Sequence, residues 1–451
     1  MLINSNKFLV LGVSKSGFSA SSYLLSKGAI CYVFEENDSI KIKKKKEDLL
    51  SKGAILLSND NVEETLKYVD VVIISPGVPI NHSIAVKARN LGKRIISELE
   101  FGFFCSYPKI VGVTGTNGKT TTVSLINSIF SNNNTKTLLM GNVGCPVCDN
   151  VDKIDSSTVC VTEISSYQLE STCYLRPDVA CILNVSPDHL ERHYSMENYI
   201  FLKRRLLSNL TESEYAVLNF DDQVVKEFSQ GTKAKTVYVS LIQEVDGGYK
   251  KDDGLYYKGV RIIGLNELSL QGLHNEYNAL FAIVVAKLFG VSDQVIRDSL
   301  ANFKGIPHRI QLILEKNGIK VYNDSKATNT ASTISAINCM KGKTVLVLGG
   351  SNKGEDYSEL FNVVNNSPIK HVVITGETKE EMIKTAVKIG VENFTSTNTF
   401  EDAIKYAYLL CDNGENLLFS PACASFDRFS GFEERGDYFA KLIGELSCYQ
   451  N

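Results

Sequence analysis

A glycine-rich segment between two apolar stretches carries the clearest chemistry in this sequence. Residues 114–122 read TGTNGKTTT, after the β-branched run Lys109–Val113 and before a stretch with helical apolar spacing. A strand, a glycine-rich turn, a Lys-Thr pair and a helix together form a phosphate-binding loop. Backbone N–H groups and the helix dipole attract an anion there, Lys119 adds a positive charge, and Thr120 adds a hydroxyl for magnesium. The segment therefore predicts a nucleotide phosphate site.

The match to the general phosphate-loop pattern is partial, because Val113 occupies the position of its first glycine. A glycine-rich turn that only caps an ordinary helix remains the alternative. A carboxylate favours the phosphate site: Glu163 follows the predicted strand Thr158–Thr162, where it can bind magnesium together with phosphate oxygens. Its alternative role is to cap the helix that follows.

Two further side chains are ambiguous from the residues alone. His189 follows the predicted strand Val179–Val185, and its spacing to His193 lacks the HExxH context of a zinc protease. It is either a metal or phosphate contact or a structural histidine. Lys203 lies in a predicted helical stretch beside two arginines, and three adjacent cations are typical of a solvated helix face.

The beginning of the chain predicts a Rossmann-like unit. The strand Lys7–Gly12, a polar turn and a helix precede a second strand that ends at Glu35, where an acidic residue could bind a ribose. Ser14 replaces the second glycine of the GxGxxG pattern, which argues against a nicotinamide dehydrogenase. A phosphate at the helix N-terminus is still compatible with this turn.

Length and composition indicate a soluble protein of several domains. The 451 residues suggest about three domains. The balance of 48 basic against 51 acidic residues argues against a nucleic-acid-binding or membrane-surface protein, which would show a strong basic excess. No apolar run approaches the ~20 residues of a membrane span, and the N-terminus lacks the features of a signal peptide. Eleven scattered cysteines are typical of a reducing compartment. We therefore predict a cytoplasmic protein that binds neither nucleic acid nor membranes.

Alternating strand and helix patterns indicate an α/β protein with three domains. The predicted domains are a Rossmann-like domain over residues 1–104, a P-loop domain over 105–305 and a second Rossmann-like domain over 306–451. Within the middle domain, residues 236–272 predict an antiparallel extension of the sheet. Polar loops follow the strands in each domain, at the sheet edge where ligands bind in such folds.

Taken together, these loops resemble the Mur ligase family, the ATP-dependent amide-forming enzymes of peptidoglycan assembly. The family's phosphate loop, TGTNGKTT, is intact at residues 114–121, which explains the departure from the general pattern. The resemblance runs from the Ser-Pro-Gly turn at 75–77 to Phe432. Within the family, NDSKATN at 323–329 and SPACAS at 420–425 match the members that add D-glutamate.

The resemblance implies a function for each of several residues, including a carbamylated lysine at Lys203. These residues are Gly115, Thr116, Asn117, Gly118, Lys119, Thr120, Thr121, Asn275, Asn278, His308, Arg309, Asp324 and Lys326 for ATP; Ser14, Lys15, Ser16, Glu35, Asn37, Gly77 and Asn142 for the nucleotide sugar; Thr328, Lys353, Ser425 and Phe432 for D-glutamate; Thr120, Glu163, His189 and carbamylated Lys203 for magnesium; and Lys119, Lys203, His189 and Arg309 for catalysis.

The resemblance also implies the reaction. ATP would phosphorylate the carboxylate of UDP-N-acetylmuramoyl-L-alanine, and the amine of D-glutamate would displace phosphate from the acyl phosphate, in a monomer that needs magnesium. Three alternatives stay open: a family member with another amino acid, a folylpolyglutamate-type ligase, and an ATP-gated binding protein that has kept the fold without the chemistry.

Overall fold

The computed structural model describes residue 3 and residues 6–270, 272–352 and 354–448. It divides into two compact units, Met1–Phe303 and Lys304–Asn451. The first unit contains a five-stranded and a nine-stranded sheet, and the second contains a six-stranded sheet. Helices separate most of the strands, so the α/β class predicted from the sequence is confirmed.

The strands and helices are numbered in chain order. The strands are β1 (Lys7–Leu11), β2 (Ile30–Phe34), β3 (Ile55–Leu57), β4 (Val71–Ile74), β5 (Arg94–Ser97), β6 (Lys109–Thr114), β7 (Thr137–Gly141), β8 (Val159–Glu163), β9 (Val179–Ile182), β10 (Tyr215–Asn219), β11 (Lys235–Ser240), β12 (Gly247–Lys251), β13 (Gly254–Tyr257), β14 (Val260–Gly264), β15 (Gln311–Lys316), β16 (Ile319–Asn323), β17 (Thr344–Leu348), β18 (Ile369–Ile374), β19 (Phe394–Ser396) and β20 (Asn416–Phe419). The helices are α1 (Lys15–Ser26), α2 (Ile40–Ser51), α3 (Val62–Thr65), α4 (Ser83–Asn90), α5 (Glu98–Ser106), α6 (Lys119–Asn132), α7 (Ser166–Glu170), α8 (Leu190–His193), α9 (Met196–Arg204), α10 (Gln223–Glu227), α11 (Leu273–Leu288), α12 (Asp293–Ala301), α13 (Thr330–Cys339), α14 (Ser358–Asn365), α15 (Lys379–Ile389), α16 (Phe400–Leu409) and α17 (Phe432–Cys448). None of these helices, over the residues described, has the length and apolar character needed to cross a lipid bilayer.

The first sheet has the order β3-β2-β1-β4-β5, and all of its strands are parallel. Helices cover both faces of such a sheet, so its central strands are apolar without alternation. In β1, for example, Phe8, Leu9 and Val10 are fully buried. The carboxyl ends of β1, β2 and β4 therefore share one edge, where the polar turns predicted from the sequence begin.

The second sheet has the order β14-β13-β12-β11-β10-β9-β6-β8-β7. β6 lies between β8 and β9, and all three strands are parallel. Helices α6 and α11 contribute to the core on one face, where the rings of Phe130 and Phe289 lie 5.0 Å apart. β12, β13 and β14 pair antiparallel, which confirms the predicted extension for this part of residues 236–272. The prediction is wrong for β11, which pairs parallel with β10 and with β12.

The third sheet, in the second unit, has the order β15-β16-β20-β17-β18-β19. β15 pairs antiparallel with β16, whereas β16, β20 and β17 are neighbouring parallel strands. The loops that follow these three strands therefore emerge side by side. This arrangement positions residues 323–329 next to residues 420–425.

A buried carboxyl group at the start of α5 makes the stability of the first unit depend on pH. Burial raises the pKa of Glu98 from its ordinary 4.5 to about 7. A hydrogen bond that the Cys148 N–H donates to the carboxylate over 2.8 Å lowers the pKa, but by less than burial raises it. Between these two pH values the folded protein holds a proton that the unfolded chain has lost. The stability contributed by this group is therefore highest below pH 4.5 and falls as the pH rises to 7.

We expect Glu98→Gln to remove the loss of stability that Glu98 causes as the pH rises. The wild type should lose up to about 3 kcal/mol of unfolding free energy through Glu98, since one pKa unit corresponds to about 1.4 kcal/mol. Urea unfolding of both proteins at about pH 5 and about pH 8 measures the difference, because the other titrating groups are common to both. An equal pH dependence in the two proteins would contradict the assignment.

Candidate functional site

The loop at 114–121 connects the carboxyl end of β6 to α6 and has the conformation of a phosphate-binding loop. Gly118 precedes the helix with a left-handed backbone, φ 84°. The Lys119 ammonium donates to the carbonyl oxygens of Gly115 and Thr116 at 2.8 and 2.7 Å, so the loop closes around it. The first-turn N–H groups of α6 and this positive charge belong to one short segment. The geometry suits a bound polyphosphate.

A buried carboxylate lies beside the helix start. Thr120 Oγ1 donates to Glu163 Oε2 over 2.8 Å, and Asn142 Nδ2 donates to Glu163 Oε1 over 2.7 Å. Glu163 is 2% exposed and is the last residue of β8, not the first after it as the sequence predicted. β7 and β8 pair with Gly141 opposite Glu163, so the strand ends place Asn142 against the carboxylate. Three predicted site residues therefore form one cluster.

Substitution of Gly118 tests the loop conformation directly. A Cβ at this position would lie 2.5 Å from Asn278 Oδ1, and its backbone would remain left-handed. We expect Gly118→Ala to cost about 1–2 kcal/mol in stability and to weaken ADP binding, because the loop must shift to relieve the contact. Calorimetric titration with ADP and thermal unfolding measure the two effects.

Gly290→Ala is the matched control, because Gly290 has φ 76° and open space where an added Cβ would lie. It should reproduce the backbone cost and leave ADP affinity unchanged. Equal ADP affinities in Gly118→Ala and in the wild type would show that the loop does not need this conformation.

Asn278 contributes to the phosphate loop from α11. Its Oδ1 accepts a hydrogen bond from Thr122 Oγ1 at 3.1 Å, and its Nδ2 donates to Asn275 Oδ1 at 3.2 Å. Helix α11 begins at Leu273, so both asparagines lie in its first two turns and neither is the N-cap, which is Gly272. Asn278, predicted to bind ATP, thus contacts the first turn of α6, and Asn275, predicted to bind ATP as well, contacts Asn278.

The burial of Lys203 differs most from what its residue type alone suggests. Three adjacent cations suggested a solvated face, yet the side chain of Lys203 is 1% exposed, whereas Arg204 is exposed. Its Nζ lies 4.4 Å from the ring centre of Tyr199. Burial, and after it the charge of Lys119, lower the pKa of Lys203 to about 7, against the opposing charge of Asp188. Much of this amine is therefore uncharged near neutral pH.

The two histidines have different environments. His189 precedes α8 with φ 53°, its Nε2 lies 3.5 Å from Asp188 Oδ2, and its side chain is 44% exposed. His193 is 1% exposed, with Nε2 2.9 Å from Ser166 Oγ. Burial lowers the pKa of His193, which keeps that imidazole neutral. His193 is thus the structural histidine, and His189 is accessible to a ligand.

Apart from Asn142, which follows β7, the residues predicted to bind the nucleotide sugar lie at the ends of β1, β2 and β4. Ser14 Oγ is 2.8 Å from Ser75 Oγ, which joins the turn after β1 to the turn that contains Gly77. Lys15 Nζ donates to the carbonyl of Gly144 at 2.7 Å, so the loop of the first sheet contacts the loop after β7 in the second. Both sheets belong to the same compact unit.

Glu35 binds backbone groups of the same edge. Its Oε2 accepts from Val13 N at 2.7 Å, and its Oε1 accepts from Asn37 N at 2.8 Å. The carboxylate therefore fixes the shape of the turn before α1. Ser16 is the second residue of α1. A ribose would have to share Glu35 with these donors.

In the second unit, the loops after β16 and β20 meet at Asp324. Its Oδ2 accepts from Ser420 Oγ at 2.7 Å and its Oδ1 accepts from Ile310 N at 3.1 Å. Burial raises the pKa of Asp324 to about 6, although both hydrogen bonds and the charge of Arg309 oppose the shift. The Asp324 carboxyl group thus connects the loop after β16, the loop after β20 and the segment that carries His308 and Arg309.

The residues around Asp324 form a second cluster. The Lys326 N–H donates to the carbonyl of His308 at 2.9 Å, and the Lys326 ammonium lies 5.8 Å from the ring centre of Phe432. His308 packs edge-on against the same ring at 6.4 Å, and burial lowers the pKa of its imidazole. Ser425 is buried and Thr328 half-buried in the neighbouring loops. Lys353, also predicted to bind substrate, lies outside the described residues.

Sequence reasoning missed Arg435, a buried cation in α17. Its guanidinium donates to the carbonyls of Ser325, Cys423 and Ala424 at 2.8, 3.0 and 3.0 Å and to Ser325 Oγ at 3.1 Å. Burial lowers its pKa to about 10. The side chain thus holds the loops after β16 and β20 together. An arginine in an amphipathic helix carries no sequence signal of burial, because its charge is typical of an exposed face.

A metal ion would have to be bound by few protein ligands. Over the part of the chain that the structure describes, no three His, Cys, Asp or Glu side chains form a group able to bind a metal. Magnesium needs only one or two carboxylates when phosphate oxygens and water supply the remaining ligands. The Thr120 and Glu163 pair fits this requirement.

The chain matches three family models, each over a separate region. These are the Mur ligase MurD-like N-terminal domain over residues 6–97, the Mur ligase middle domain over 113–286 and the Mur ligase glutamate ligase domain over 308–423. The match at 113–286 includes the whole phosphate loop, Glu163, His189, Lys203 and Asn278.

Curated relatives match over the whole chain. A UDP-N-acetylmuramoylalanine–D-glutamate ligase of Caldanaerobacter subterraneus is 36% identical over 449 residues, which cover 99% of this chain and 100% of the relative. The enzyme of the same name from Clostridioides difficile is 36% identical over 451 residues, again 99% and 100%. That from Streptococcus agalactiae is 36% identical over 449 residues, 98% of each chain.

Solved structures share the fold at lower identity. The UDP-N-acetylmuramate–alanine ligase of Thermotoga maritima superposes with a TM-score of 0.58 at 16% identity, over 99% of this chain and 100% of the other. The MurF ligase of Thermotoga maritima, solved with ADP, gives 0.57 at 18% identity over 99% of both chains. These structures support the three-sheet architecture.

Proposed function

Because the chain belongs to the Mur ligase family, we propose that it joins D-glutamate to UDP-N-acetylmuramoyl-L-alanine, with consumption of ATP, in the synthesis of peptidoglycan precursors. The observation that carries this proposal is the match, at 34–37% identity and nearly full length, to relatives named as D-glutamate ligases. The phosphate loop with its buried carboxylate supports the use of ATP. The reaction is the formation of an amide from a carboxylate and an amine.

We assign ATP to the phosphate loop at 115–121, with Asn275 and Asn278 beside the adenine. Lys119 places a positive charge where the outer phosphates would lie, and the N–H groups at the start of α6 point the same way. In the second unit, Asp324 and Lys326 belong to the same assignment, together with His308 and Arg309.

The residues present fit magnesium. Thr120 and Glu163 offer a hydroxyl and a carboxylate oxygen, the hard ligands that magnesium prefers, and they lie 2.8 Å apart. His189 and Lys203 complete the proposed set, the latter as a carbamate. Bound magnesium would neutralise phosphate charge and polarise the transferred group.

The burial of Lys203 supports the carbamate. An uncharged amine attacks carbon dioxide, a C–N bond forms, and a proton is released to leave a carboxylate on the side chain. Because the pKa of Lys203 is lowered to about 7, its amine is available for this reaction without strong base. The product is an anion in place of a cation, which suits a metal site.

Positioning and charge neutralisation by the chain account for the first step. A carboxylate oxygen of UDP-N-acetylmuramoyl-L-alanine attacks the γ-phosphorus of ATP, and the bond to the bridging oxygen breaks to release ADP. The Lys119 ammonium, held over the loop by two carbonyls, stabilises the charge that accumulates on the phosphates.

In the second step the amine of D-glutamate attacks the acyl carbon. A tetrahedral intermediate forms, and it expels phosphate with the former carboxylate oxygen and loses a proton from nitrogen. We assign D-glutamate to the cluster of Thr328, Ser425 and Phe432, together with Lys353. Arg435 fixes the loops that carry this cluster through its four hydrogen bonds.

The nucleotide sugar is assigned to the carboxyl edge of the first sheet and to Asn142. That edge carries Ser14, Lys15 and Gly77, with Ser16, Glu35 and Asn37 nearby. The contact between Lys15 and the carbonyl of Gly144 joins this edge to the loop that holds Asn142. We further propose that the protein acts in the cytoplasm as a monomer on small molecules, and that cell shape and division depend on its product.

Release of phosphate tests the substrate assignment. The protein is incubated with ATP, magnesium and UDP-N-acetylmuramoyl-L-alanine, and D-glutamate is compared with L-glutamate, L-alanine and meso-diaminopimelate. We expect release only when D-glutamate and the nucleotide sugar are both present. Release with another amino acid would assign the chain to a different member of the family, and no release with any of them would favour a binding protein.

A further inference from the structure

A second concave region of the first unit lies away from the phosphate loop, along the outer edge of the first sheet. The cavity has a volume of about 550 Å³. It extends from Asn81, after β4, to Arg94 at the start of the edge strand β5, and its opposite wall comes from α9 and the segment after α7. A volume of this size accommodates one small-molecule ligand.

The walls of this cavity carry a large excess of positive charge. Five cationic side chains line it, and Glu170 is the single acidic residue of the lining within the described parts of the chain. Arg192 donates two hydrogen bonds to the Glu170 carboxylate, at 2.7 and 3.0 Å, and so neutralises its charge. Arg205 is held by the carbonyls of Glu170 and Thr172. Two guanidinium groups are therefore fixed in place before any ligand binds.

The other three cations have no acidic partner within the described part of the chain. Arg89 donates to the carbonyl of Ile80 at 2.9 Å, Lys93 donates to that of Lys67 at 3.2 Å, and Arg94 lies over the ring of Tyr174 at 5.6 Å. Like charges that share a cavity repel one another, and a bound anion relieves that repulsion.

Aromatic rings are exposed at the same walls. Tyr174, Tyr194 and Phe201 are 53%, 76% and 59% exposed, and all three line the cavity. Single exposed rings are common on protein surfaces, but several exposed rings grouped in one concave region are typical of a binding site. Rings beside guanidinium groups suit a planar ligand that also bears negative charge.

We propose that this cavity binds a nucleotide, with its phosphates against Lys93 and Arg94 and its base against the exposed rings. The site is separate from the phosphate loop and uses none of the residues assigned to the ligase reaction. It would remain if the proposed activity were wrong. Its ligand is a nucleoside phosphate with at least two negative charges.

Cys173 offers a local readout, because it lines the cavity and is exposed. The full-length protein is treated with N-ethylmaleimide, and alkylation of each cysteine is followed by peptide mass spectrometry, with exposed Cys339 and Cys448 of the second unit as internal references. ADP should slow alkylation of Cys173 by about fivefold at about 80% occupancy and leave the references unchanged. Adenosine, which lacks phosphate, should not protect it.

Charge reversal separates this site from any effect of ADP bound elsewhere. Lys93→Glu/Arg94→Glu should lose the protection, and Arg89→Glu, in a different element, should weaken it. Lys43→Glu/Lys44→Glu is the matched control, because it makes the same change of charge on the exposed face of α2. Protection that persists in Lys93→Glu/Arg94→Glu, no protection by ADP, or equal protection by adenosine would each overturn the proposal.

Discussion

Lys119→Ala is expected to reduce ligase turnover by about 10³-fold, or about 4 kcal/mol of transition-state stabilisation. The ammonium is held 2.8 and 2.7 Å from the carbonyls of Gly115 and Thr116, where it would face the transferred phosphoryl group. Alanine removes both the charge and the contacts that close the loop. Steady-state release of phosphate with saturating substrates measures the loss.

Lys109→Ala is the matched control for this substitution. Lys109 is exposed at the other end of β6, so the same change of side chain leaves the loop untouched. Its turnover should stay within about twofold of the wild type, as for most surface positions. A Lys119→Ala protein as active as this control would remove Lys119 from the reaction.

Lys203→Ala is expected to lower turnover by about 100-fold or more, and added acetate or formate should restore part of it. The substitution removes a buried amine that we propose to be carbamylated, and a small carboxylate can occupy the vacated space. Chemical rescue distinguishes a missing carboxylate from a missing cation. Turnover is measured with and without each anion at constant ionic strength.

Arg204→Ala is the control here, because Arg204 is the adjacent cation and is exposed. It should show neither the loss nor the rescue. Rescue of Lys203→Ala by methylamine and not by acetate would mean that Lys203 acts as a cation, and full activity in Lys203→Ala would remove it from the site.

Much of the fold and of the first cluster follows from local sequence. The segment at 109–122 specifies a strand, a turn with a left-handed glycine and a helix, and the structure contains all three. Glu163 and Asn142 could be expected beside it, because parallel strands bring their carboxyl ends to one edge. The order of the strands that makes β7 and β8 neighbours is a tertiary property that local patterns do not contain.

The environments of individual charged groups could not be predicted in the same way. Lys203 and Arg204 are adjacent in sequence and both cationic, yet only the first is buried, because the helix face and the packing of Tyr199 decide exposure. The same holds for Arg435, whose partners are carbonyls more than ten residues away in the chain. Such contacts depend on the completed fold. The same is true of the cavity along the outer edge of the first sheet, whose walls come from side chains of four separate segments.

The reaction path can be tested by the fate of one oxygen atom. UDP-N-acetylmuramoyl-L-alanine labelled with oxygen-18 in its terminal carboxylate is turned over with ATP and D-glutamate, and the released phosphate is analysed by mass spectrometry. Formation of an acyl phosphate places one carboxylate oxygen in the phosphate, so we predict one labelled oxygen per phosphate when both carboxylate oxygens are labelled. Unlabelled phosphate, released while D-glutamate is incorporated, would contradict the account.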